Sequence, residues 1–418
     1  MKKILLYVIL CVLFCSCKSL WNLAKTIDYG LTLIRMNKKT ELTYHYGEKK
    51  SFIYDKKSIF IPCKINDSTH LLLYDSGLSE ELLKVYPGNV KLPKTRKTMK
   101  QTIETASKNG VVVKRGLKHY NIESDLFNFK KIVGYVMSVS SDTIFLKCTN
   151  IADKKYGFIL GWYSFPKREN TMLLNFSDTT ITLLNSGDIY DTTDFMYVKS
   201  KLDGNGIYIY LMVDSIEYEF NFDTGSNGFL SLSQNGKHKK IWYDEDGHTK
   251  WDYFYMEYEN HKKENDTAMV GITSIDASGI VVDTVIFQQT NTITMGDLDS
   301  IKGKISYEKT TTYPRAGMQF ISNFDWIIDR SGKKVYAKQI KKIEYKNISP
   351  NYYRVDAFDS TLQISLLPVG ETEYELFSIV DSVNGEKVNA ENICQMRELL
   401  NKENGFKNNK IVVLTPKK

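Results

Sequence analysis

The sequence lacks the signatures of several common classes of active site. Its six histidines show no His-Glu-x-x-His spacing, and there is no Gly-x-Ser-x-Gly elbow or glycine-rich phosphate loop. Lysine and arginine exceed aspartate and glutamate by only 56 to 49, and the two signs are interleaved along the chain. A concentrated basic surface for a nucleic-acid backbone is therefore not predicted. Because the motifs named above are missing, we also expect no metal and no cofactor.

Cysteine is scarce as well. Three of the six cysteines fall within the first 17 residues, which leaves Cys63, Cys148 and Cys394 in the rest of the chain. Their odd number and wide separation fit no zinc or redox motif. A Cys63–Cys148 bridge is open on these grounds, but the spacing gives it no support.

Long apolar runs are missing after the N-terminus, so no later segment is predicted to span a bilayer. Residues 4–14 are apolar and follow Lys2 and Lys3, as in the core of a signal peptide. The run ends in Phe14-Cys15-Ser16-Cys17, which resembles a bacterial lipoprotein cleavage box. The resemblance implies a signal peptide over residues 1–17 and lipidation of Cys17. A plain signal peptide with incidental cysteines is the alternative.

The predicted signal peptide, which we call the leader, indicates where the mature chain lies. A lipid on Cys17 would tether it to a membrane on the extracytoplasmic side, with the periplasm, the outer membrane and the cell surface all open. Beyond the leader, the 27 tyrosines and 20 phenylalanines favour strands, so we expect a mainly β protein. A length of 418 residues allows two or three domains.

Two segments of about 150 residues repeat one order of features. In the first, an apolar strand, a polar turn at Asn66-Asp67-Ser68 and a second strand lead into Asp75-Ser76-Gly77. In the second, a similar hairpin with a turn at Asp214-Ser215 leads into Asp223-Thr224-Gly225. Each pattern predicts a β-hairpin that delivers an aspartate at the end of its second strand.

The repeat and the change of pattern after it predict the domain organisation. We expect one lobe over residues 18–190 and a second over residues 191–342. Beyond these, short strands, a helix over residues 390–401 and a final strand over residues 411–414 predict a small α+β domain, residues 343–418.

The paired loops suit a specific chemistry. Hydrolysis of a peptide bond without metal or covalent nucleophile needs one group to accept a proton from water and another to donate one. Two carboxyls held together share one proton and can divide these tasks. Gly77 and Gly225 would permit the close approach of the two loops, and the hydroxyls of Ser76 and Thr224 could hydrogen-bond the opposing loop.

These loops resemble those of the retropepsin-like aspartic peptidases, over roughly residues 40 to 340. The resemblance implies two pseudo-symmetric β-barrel lobes, with Asp75 and Asp223 as the catalytic pair. It also implies that the chain is an endopeptidase and that its substrate is a polypeptide. In that family a hairpin flap covers the bound peptide, which implies such a role for turns at Asn109-Gly110 and Asp246-Gly247. The chain departs from the family in having Glu80 near the first loop and Arg315-Ala316 before Gly317.

The C-terminal segment resembles a PDZ domain, through residues 379–388 and the helix after them. This resemblance implies capture of a peptide terminus by strand addition beside the helix. A glycine-rich carboxylate-binding loop is not evident, and residues 366–370 are the nearest candidate. A packing domain without a ligand is the alternative.

Rival functions follow from the same residues. Either tripeptide could be a polar turn after a strand, a common use of aspartate and glycine. The chain could also be a catalytically inactive, peptide-binding envelope lipoprotein that uses the cleft and the PDZ-like groove, or a purely structural envelope protein. Only a peptidase requires the two aspartate carboxyls to lie within hydrogen-bonding distance.

Overall fold

A computed structural model describes most of the chain after residue 30. The described residues are 31–78 except 32 and 56, 82–86, 101–104, 112–139, 148, 157–161, 170–233 except 204–205, 267–276, 279–298, 300–308, 314–343, 353–358, and 361–414 except 403. The predicted signal peptide and Cys17 lie outside them. Strands make up 58% and helices 9%. The predicted fold class, mainly β, is confirmed.

The first half forms a closed, mixed six-stranded barrel. Its ring runs β4-β5-β10-β6-β9-β8 and closes where β8 pairs with β4, with β5–β10 and β6–β9 parallel. The strands of this half are β1 (Glu41–Tyr44), β2 (Lys49–Ser51), β3 (Ile53–Asp55), β4 (Ser58–Ile65), β5 (Ser68–Asp75), β6 (Leu82–Tyr86), β7 (Gln101–Glu104), β8 (Val112–Glu123), β9 (Phe127–Val139), β10 (Phe158–Gly161), β11 (Thr171–Asn175) and β12 (Thr180–Leu184).

The second half repeats this pairing order. Its ring runs β15-β16-β21-β17-β20-β19, again with two parallel pairs, β16–β21 and β17–β20, and β19 returns to pair with β15. The two lobes are therefore related element by element. The elements are β13 (Met196–Val198), β14 (Ser200–Asp203), β15 (Gly206–Val213), β16 (Ile216–Phe222), β17 (Leu230–Ser233), β18 (Thr267–Asp276), β19 (Gly279–Thr294), β20 (Ile301–Glu308), β21 (Arg315–Ala316), helix α1 (Met318–Ile321), β22 (Phe324–Asp329) and β23 (Lys334–Gln339).

A third sheet joins the two lobes. Its order is β13-β23-β22-β11-β12-β2, so each half contributes three strands, and β11 pairs with β22 at the centre. Trp326 in β22 is fully buried and packs edge-on against Phe222, with ring centroids 4.9 Å apart. One continuous apolar core runs through both lobes and this sheet. The sheet thereby supports the end of β16, where Asp223 follows Phe222.

Alternation of side chains explains why these segments form strands. In β4, Ile61, Cys63 and Ile65 are buried whereas Pro62 and Lys64 are exposed, the period of two that places one face on a core. Cys63 is a buried free thiol, and its burial raises its pKa to about 12.

The C-terminal segment forms a small α+β domain with its own core. It pairs with the second lobe through β25 and β18, at Val270↔Leu367 and its neighbours. The predicted boundary at residue 343 falls between β23 and the first strand of this domain. Its elements are β24 (Arg354–Phe358), β25 (Thr361–Pro368), β26 (Ile379–Val383), β27 (Glu386–Lys387), α2 (Ile393–Leu400), α3 (Gly405–Asn408) and β28 (Ile411–Leu414).

A disulfide attaches this domain to the first lobe as well. Cys148 is bonded to Cys394 in α2, across 246 residues of sequence. The Cys63–Cys148 pairing left open by the sequence is therefore wrong, because Cys148 is bonded to Cys394 and Cys63 is a free thiol within β4. Among the described residues, no helix is both long and apolar enough to cross a membrane.

Candidate active site

Two equivalent hairpins place Asp75 and Asp223. Asp75 is the last residue of β5, beside Gly161 of the parallel strand β10. Asp223 directly follows β16, and its backbone N–H donates to the carbonyl of Ala316 in the parallel strand β21, at 2.9 Å. The departure noted at Arg315-Ala316 thus leaves the support of the second loop intact, because a backbone carbonyl supplies the contact.

The hydroxyls of Ser76 and Thr224 fasten each loop to the other. The Ser76 hydroxyl donates to the carbonyl of Phe222 at 2.5 Å and accepts from the Thr224 N–H at 3.0 Å. The Thr224 hydroxyl donates to the carbonyl of Tyr74 at 3.0 Å and accepts from the Ser76 N–H at 2.9 Å. Ser76 and Thr224 are both fully buried. The four bonds form a reciprocal set, so the position of one loop fixes that of the other.

The two glycines bring the loops into contact. A β-carbon added at Gly77 would lie 2.5 Å from Cγ of Asp223, and one added at Gly225 would lie 2.3 Å from Cγ of Asp75. Real β-carbons do not approach so closely, so each position requires a residue without one. Each glycine therefore lies directly against the aspartate of the other lobe.

The two carboxyls hydrogen-bond each other. Each also accepts from a backbone N–H of its own loop, Gly77 to Asp75 and Gly225 to Asp223, both at 2.9 Å. Burial, followed by the neighbouring Asp223 carboxyl, raises the pKa of Asp75 well above its usual value. A pair in this arrangement holds one shared proton over a wide pH range.

The structure thus brings together the six predicted dyad and support residues. It adds two backbone contributors that the sequence analysis did not single out, the carbonyls of Tyr74 and Phe222. Their position immediately before each aspartate was the available signal.

The predicted flap turns lie outside the described residues. Asn109-Gly110 falls in the connection between β7 and β8, which form an antiparallel hairpin. In the second lobe the equivalent hairpin is β18–β19, joined through residues 277–278, whereas Asp246-Gly247 precedes it, between β17 and β18. Both flap assignments stay predictions. Glu80 is also outside the described residues.

The C-terminal domain has its helix fastened to β24. The side chain of Asn401, just after α2, accepts from the Val355 N–H at 2.9 Å and donates to the Val355 carbonyl at 2.8 Å. Arg397 donates twice to the buried Asp356. At residues 366–370, the nearest candidate for a carboxylate-binding loop, the first three residues instead pair with β18 of the second lobe.

Within the described part of the chain, no three histidine, cysteine or acidic side chains cluster in a way that could hold a metal ion. Comparison with known proteins gives no matching family model and no matching curated protein.

Proposed function

We propose that the chain is an aspartic endopeptidase in which Asp75 and Asp223 hydrolyse peptide bonds by activating water. The observation that carries the proposal is the hydrogen-bonded pair of carboxyls, supplied by two equivalent hairpins and held by reciprocal bonds from Ser76 and Thr224. An aspartate in a merely structural turn has no need of a second, symmetric aspartate that raises the pKa of its carboxyl.

In this proposal the two carboxyls have different tasks. Asp75, with its raised pKa, carries the shared proton, and the ionised Asp223 accepts a proton from a water molecule between them. The resulting hydroxide attacks the peptide carbonyl carbon while Asp75 donates its proton to the carbonyl oxygen. Collapse of the tetrahedral intermediate breaks the C–N bond, and the amine leaves with the proton that Asp223 had accepted. One hydroxyl of the intermediate returns its proton to Asp75 as the carboxyl product forms, which restores the singly protonated pair.

The test is cleavage of casein by the full chain purified in detergent, from mildly acid to neutral pH, with and without pepstatin. Asp75→Asn and Asp223→Asn should each lower kcat by at least about a thousandfold, because the pair can no longer take and give a proton. Loss of cleavage in both variants, each still showing a cooperative thermal unfolding transition, is the expected result.

Asp214→Asn is the matched control, because the first lobe has Asn66 at the equivalent turn position and its side-chain oxygen makes the same bond. This variant should cleave casein like the wild type. Full activity in Asp75→Asn or Asp223→Asn would refute the proposal. Peptide binding without turnover, unchanged in both variants, would instead identify an inactive peptide-binding lipoprotein.

We also propose that the peptidase works in the bacterial cell envelope, tethered through a lipid on Cys17. The leader supports this location, and the Cys148–Cys394 disulfide agrees with an oxidising compartment. Radiolabelled palmitate should enter the wild-type chain but not the Cys17→Ser variant, and labelling of the variant would refute the anchor.

For the C-terminal domain, the contacts favour attachment over capture of a peptide terminus. A peptide added beside β24 next to α2 would compete with Asn401 for the backbone of Val355. The domain is also joined to one lobe by β25 and to the other by the disulfide. Capture of a peptide terminus stays a prediction.

A further inference from the structure

Strand geometry identifies the side chains that lie beside each aspartate of the dyad. We call the set in each lobe a wall. Side chains at i and i+2 of a strand lie on one face, so Leu73 shares the face of Asp75, and Asn221 shares that of Asp223. Leu73 is paired with Ile159 on β10, and Asn221 with Arg315 on β21. These neighbours therefore flank the dyad on its own face, one pair from each lobe.

The neighbouring strand extends each wall by one position. In the first lobe Ile159 is also paired with Leu83 of β6, and in the second lobe Arg315 is paired with Ser231 of β17. Because both lobes have the same strand pairing, Leu83 and Ser231 are equivalent. They lie on the same faces as Ile159 and Arg315.

The equivalent positions differ in chemistry. The first wall consists of Leu73, Leu83 and Ile159, which are all apolar, whereas the second consists of Asn221, Ser231 and Arg315. The duplication thus kept the dyad and its support but not its surroundings. One wall is a hydrophobic surface, and the other carries a cation with two uncharged polar groups.

Two groups of the polar wall have no hydrogen-bond partner among the described residues. Arg315 is half-buried, and no hydrogen bond or ion pair joins its guanidinium to another residue in the described part of the chain. The Oδ1 atom of Asn221 is buried, also without a partner among the described residues. A buried acceptor without a partner is costly, so Oδ1 of Asn221 favours a bound peptide whose backbone N–H donates to it. The guanidinium of Arg315, which only donates, favours a ligand that accepts.

One acidic group lies near this wall. Glu308 is on β20, the strand that pairs with β17, and accepts a hydrogen bond from Ser306 at 3.1 Å. Burial raises the pKa of Glu308, and the charge of Arg315 opposes this effect. Glu308 therefore offsets part of the cation's charge without a hydrogen bond to it in the described part of the chain, and the N–H donors of the guanidinium suit another carboxylate.

We propose that the second wall binds an acidic side chain of the substrate through Arg315, so that the enzyme cleaves peptides with an acidic residue on one side of the scissile bond and an apolar residue on the other. This rests on the proposed peptidase function and adds its specificity. Bidentate bonding of a carboxylate by the guanidinium gives the selectivity, and the leucine and isoleucine of the first wall select the apolar residue.

The test is digestion of a proteome-derived peptide library by the full chain in detergent, with the cleavage sites read by mass spectrometry. Glutamate and aspartate should be enriched at one position beside the scissile bond. A pair of quenched peptides that differ only by glutamate or leucine at that position then gives a kcat/KM ratio. We expect about tenfold or more in favour of glutamate, the effect of a charge-assisted hydrogen bond.

Arg315→Ile copies the equivalent Ile159 of the first lobe and should reverse this ratio, while Arg315→Lys should keep part of it. Lys338→Gln, which removes an exposed cation from β23 in the sheet that joins the two lobes, should leave this ratio unchanged. The ratio compares two substrates on one protein, so partial unfolding of a variant does not change it. Active enzyme without an acidic preference, or with one that Arg315→Ile retains, would overturn the inference and leave the peptidase function standing.

A binding measurement covers the case in which nothing is cleaved. Fluorescence anisotropy on the Asp223→Asn variant compares the glutamate and leucine peptides with and without Arg315→Ile. Tighter binding of the glutamate peptide, lost with Arg315→Ile, would support the polar wall even if catalysis is absent. Equal binding of both peptides would overturn it.

Discussion

At the scale of single residues, the dyad depends on groups that are buried and mutually satisfied. Ser76 and Thr224 each use one hydroxyl as both donor and acceptor across the lobe junction. Removal of either hydroxyl would take away one hydrogen bond to a carbonyl and one from an N–H of the opposite loop, at a cost of about 0.5–1.5 kcal/mol for each bond. The hydroxyls therefore hold the carboxyls in place as well as stabilise the fold.

The raised pKa of Asp75 predicts a change in how stability depends on pH. Between the ordinary aspartate pKa of about 3.9 and the raised value in the fold, the folded chain binds more protons than the unfolded chain. The contribution of Asp75 to stability is thus greatest at acid pH and is lost as the pH rises through this window. Asparagine cannot ionise, so Asp75→Asn should gain stability relative to wild type as the pH rises.

Urea unfolding of both proteins from pH 3.5 to pH 7 checks this expectation. The difference in unfolding free energy should be smallest at the acid end and should grow with pH in favour of Asp75→Asn. A difference that is constant over this range would show that Asp75 titrates alike in the folded and unfolded chains.

At the scale of elements, the two dyad hairpins share one turn geometry. Asn66 and Asp67 have φ of 46° and 69°, and Asp214 and Ser215 have φ of 46° and 75°. Positive φ at both central residues is the type I′ turn, which matches the twist of the flanking strands. The first turn residue also bonds the neighbouring strand: Asp214 donates to the carbonyl of Thr292 at 2.9 Å and accepts from its N–H at 2.8 Å.

Ser215→Gly should stabilise the second lobe. A left-handed conformation costs a non-glycine residue about 1–2 kcal/mol, whereas glycine costs about 0.5–1 kcal/mol in chain entropy. The net expectation is up to about 1 kcal/mol of added unfolding free energy, measured in urea. Ser51→Gly, in the exposed edge strand β2, should have the opposite sign because φ is not positive there. Destabilisation by Ser215→Gly would contradict the turn assignment.

At the scale of the whole molecule, the C-terminal domain is joined to both lobes. It extends the sheet of the second lobe through β18–β25, and Arg354 donates to the carbonyl of Ile272 in β18. Asp356, only 3% exposed as a side chain, binds Arg354 on one side and Arg397 of α2 on the other. From α2 the disulfide returns to Cys148 in the first half of the chain.

Loss of this disulfide should destabilise the molecule. A bond across 246 residues restricts the unfolded chain strongly, and its removal typically costs about 2–5 kcal/mol. Cys394→Ser should lower the unfolding free energy by that amount in urea, and dithiothreitol should do the same to the wild type. The reductant should have no further effect on Cys394→Ser, and equal stability of oxidised and reduced wild type would refute the prediction.

Much of the architecture was predictable from the sequence because its causes are local. Alternation of apolar and polar residues predicted both dyad hairpins. Apolar residues at helical spacing predicted the C-terminal helix, observed over Ile393–Leu400. The repeated Asp-Ser/Thr-Gly tripeptides identified the residues that the fold brings together. Their spacing of 148 residues along the chain was the sign of duplication.

Only the tertiary structure decided which distant groups meet. The partner of Cys148, the pairing of β18 with β25 and the contrast between the Leu73 and Asn221 walls depend on contacts between residues far apart in sequence. A local pattern specifies which face of a strand is buried, but not which strand or loop covers it. That choice is made by packing and ring closure over the whole chain, which set the surroundings of Asp75 and Asp223 while the sequence alone set their identity.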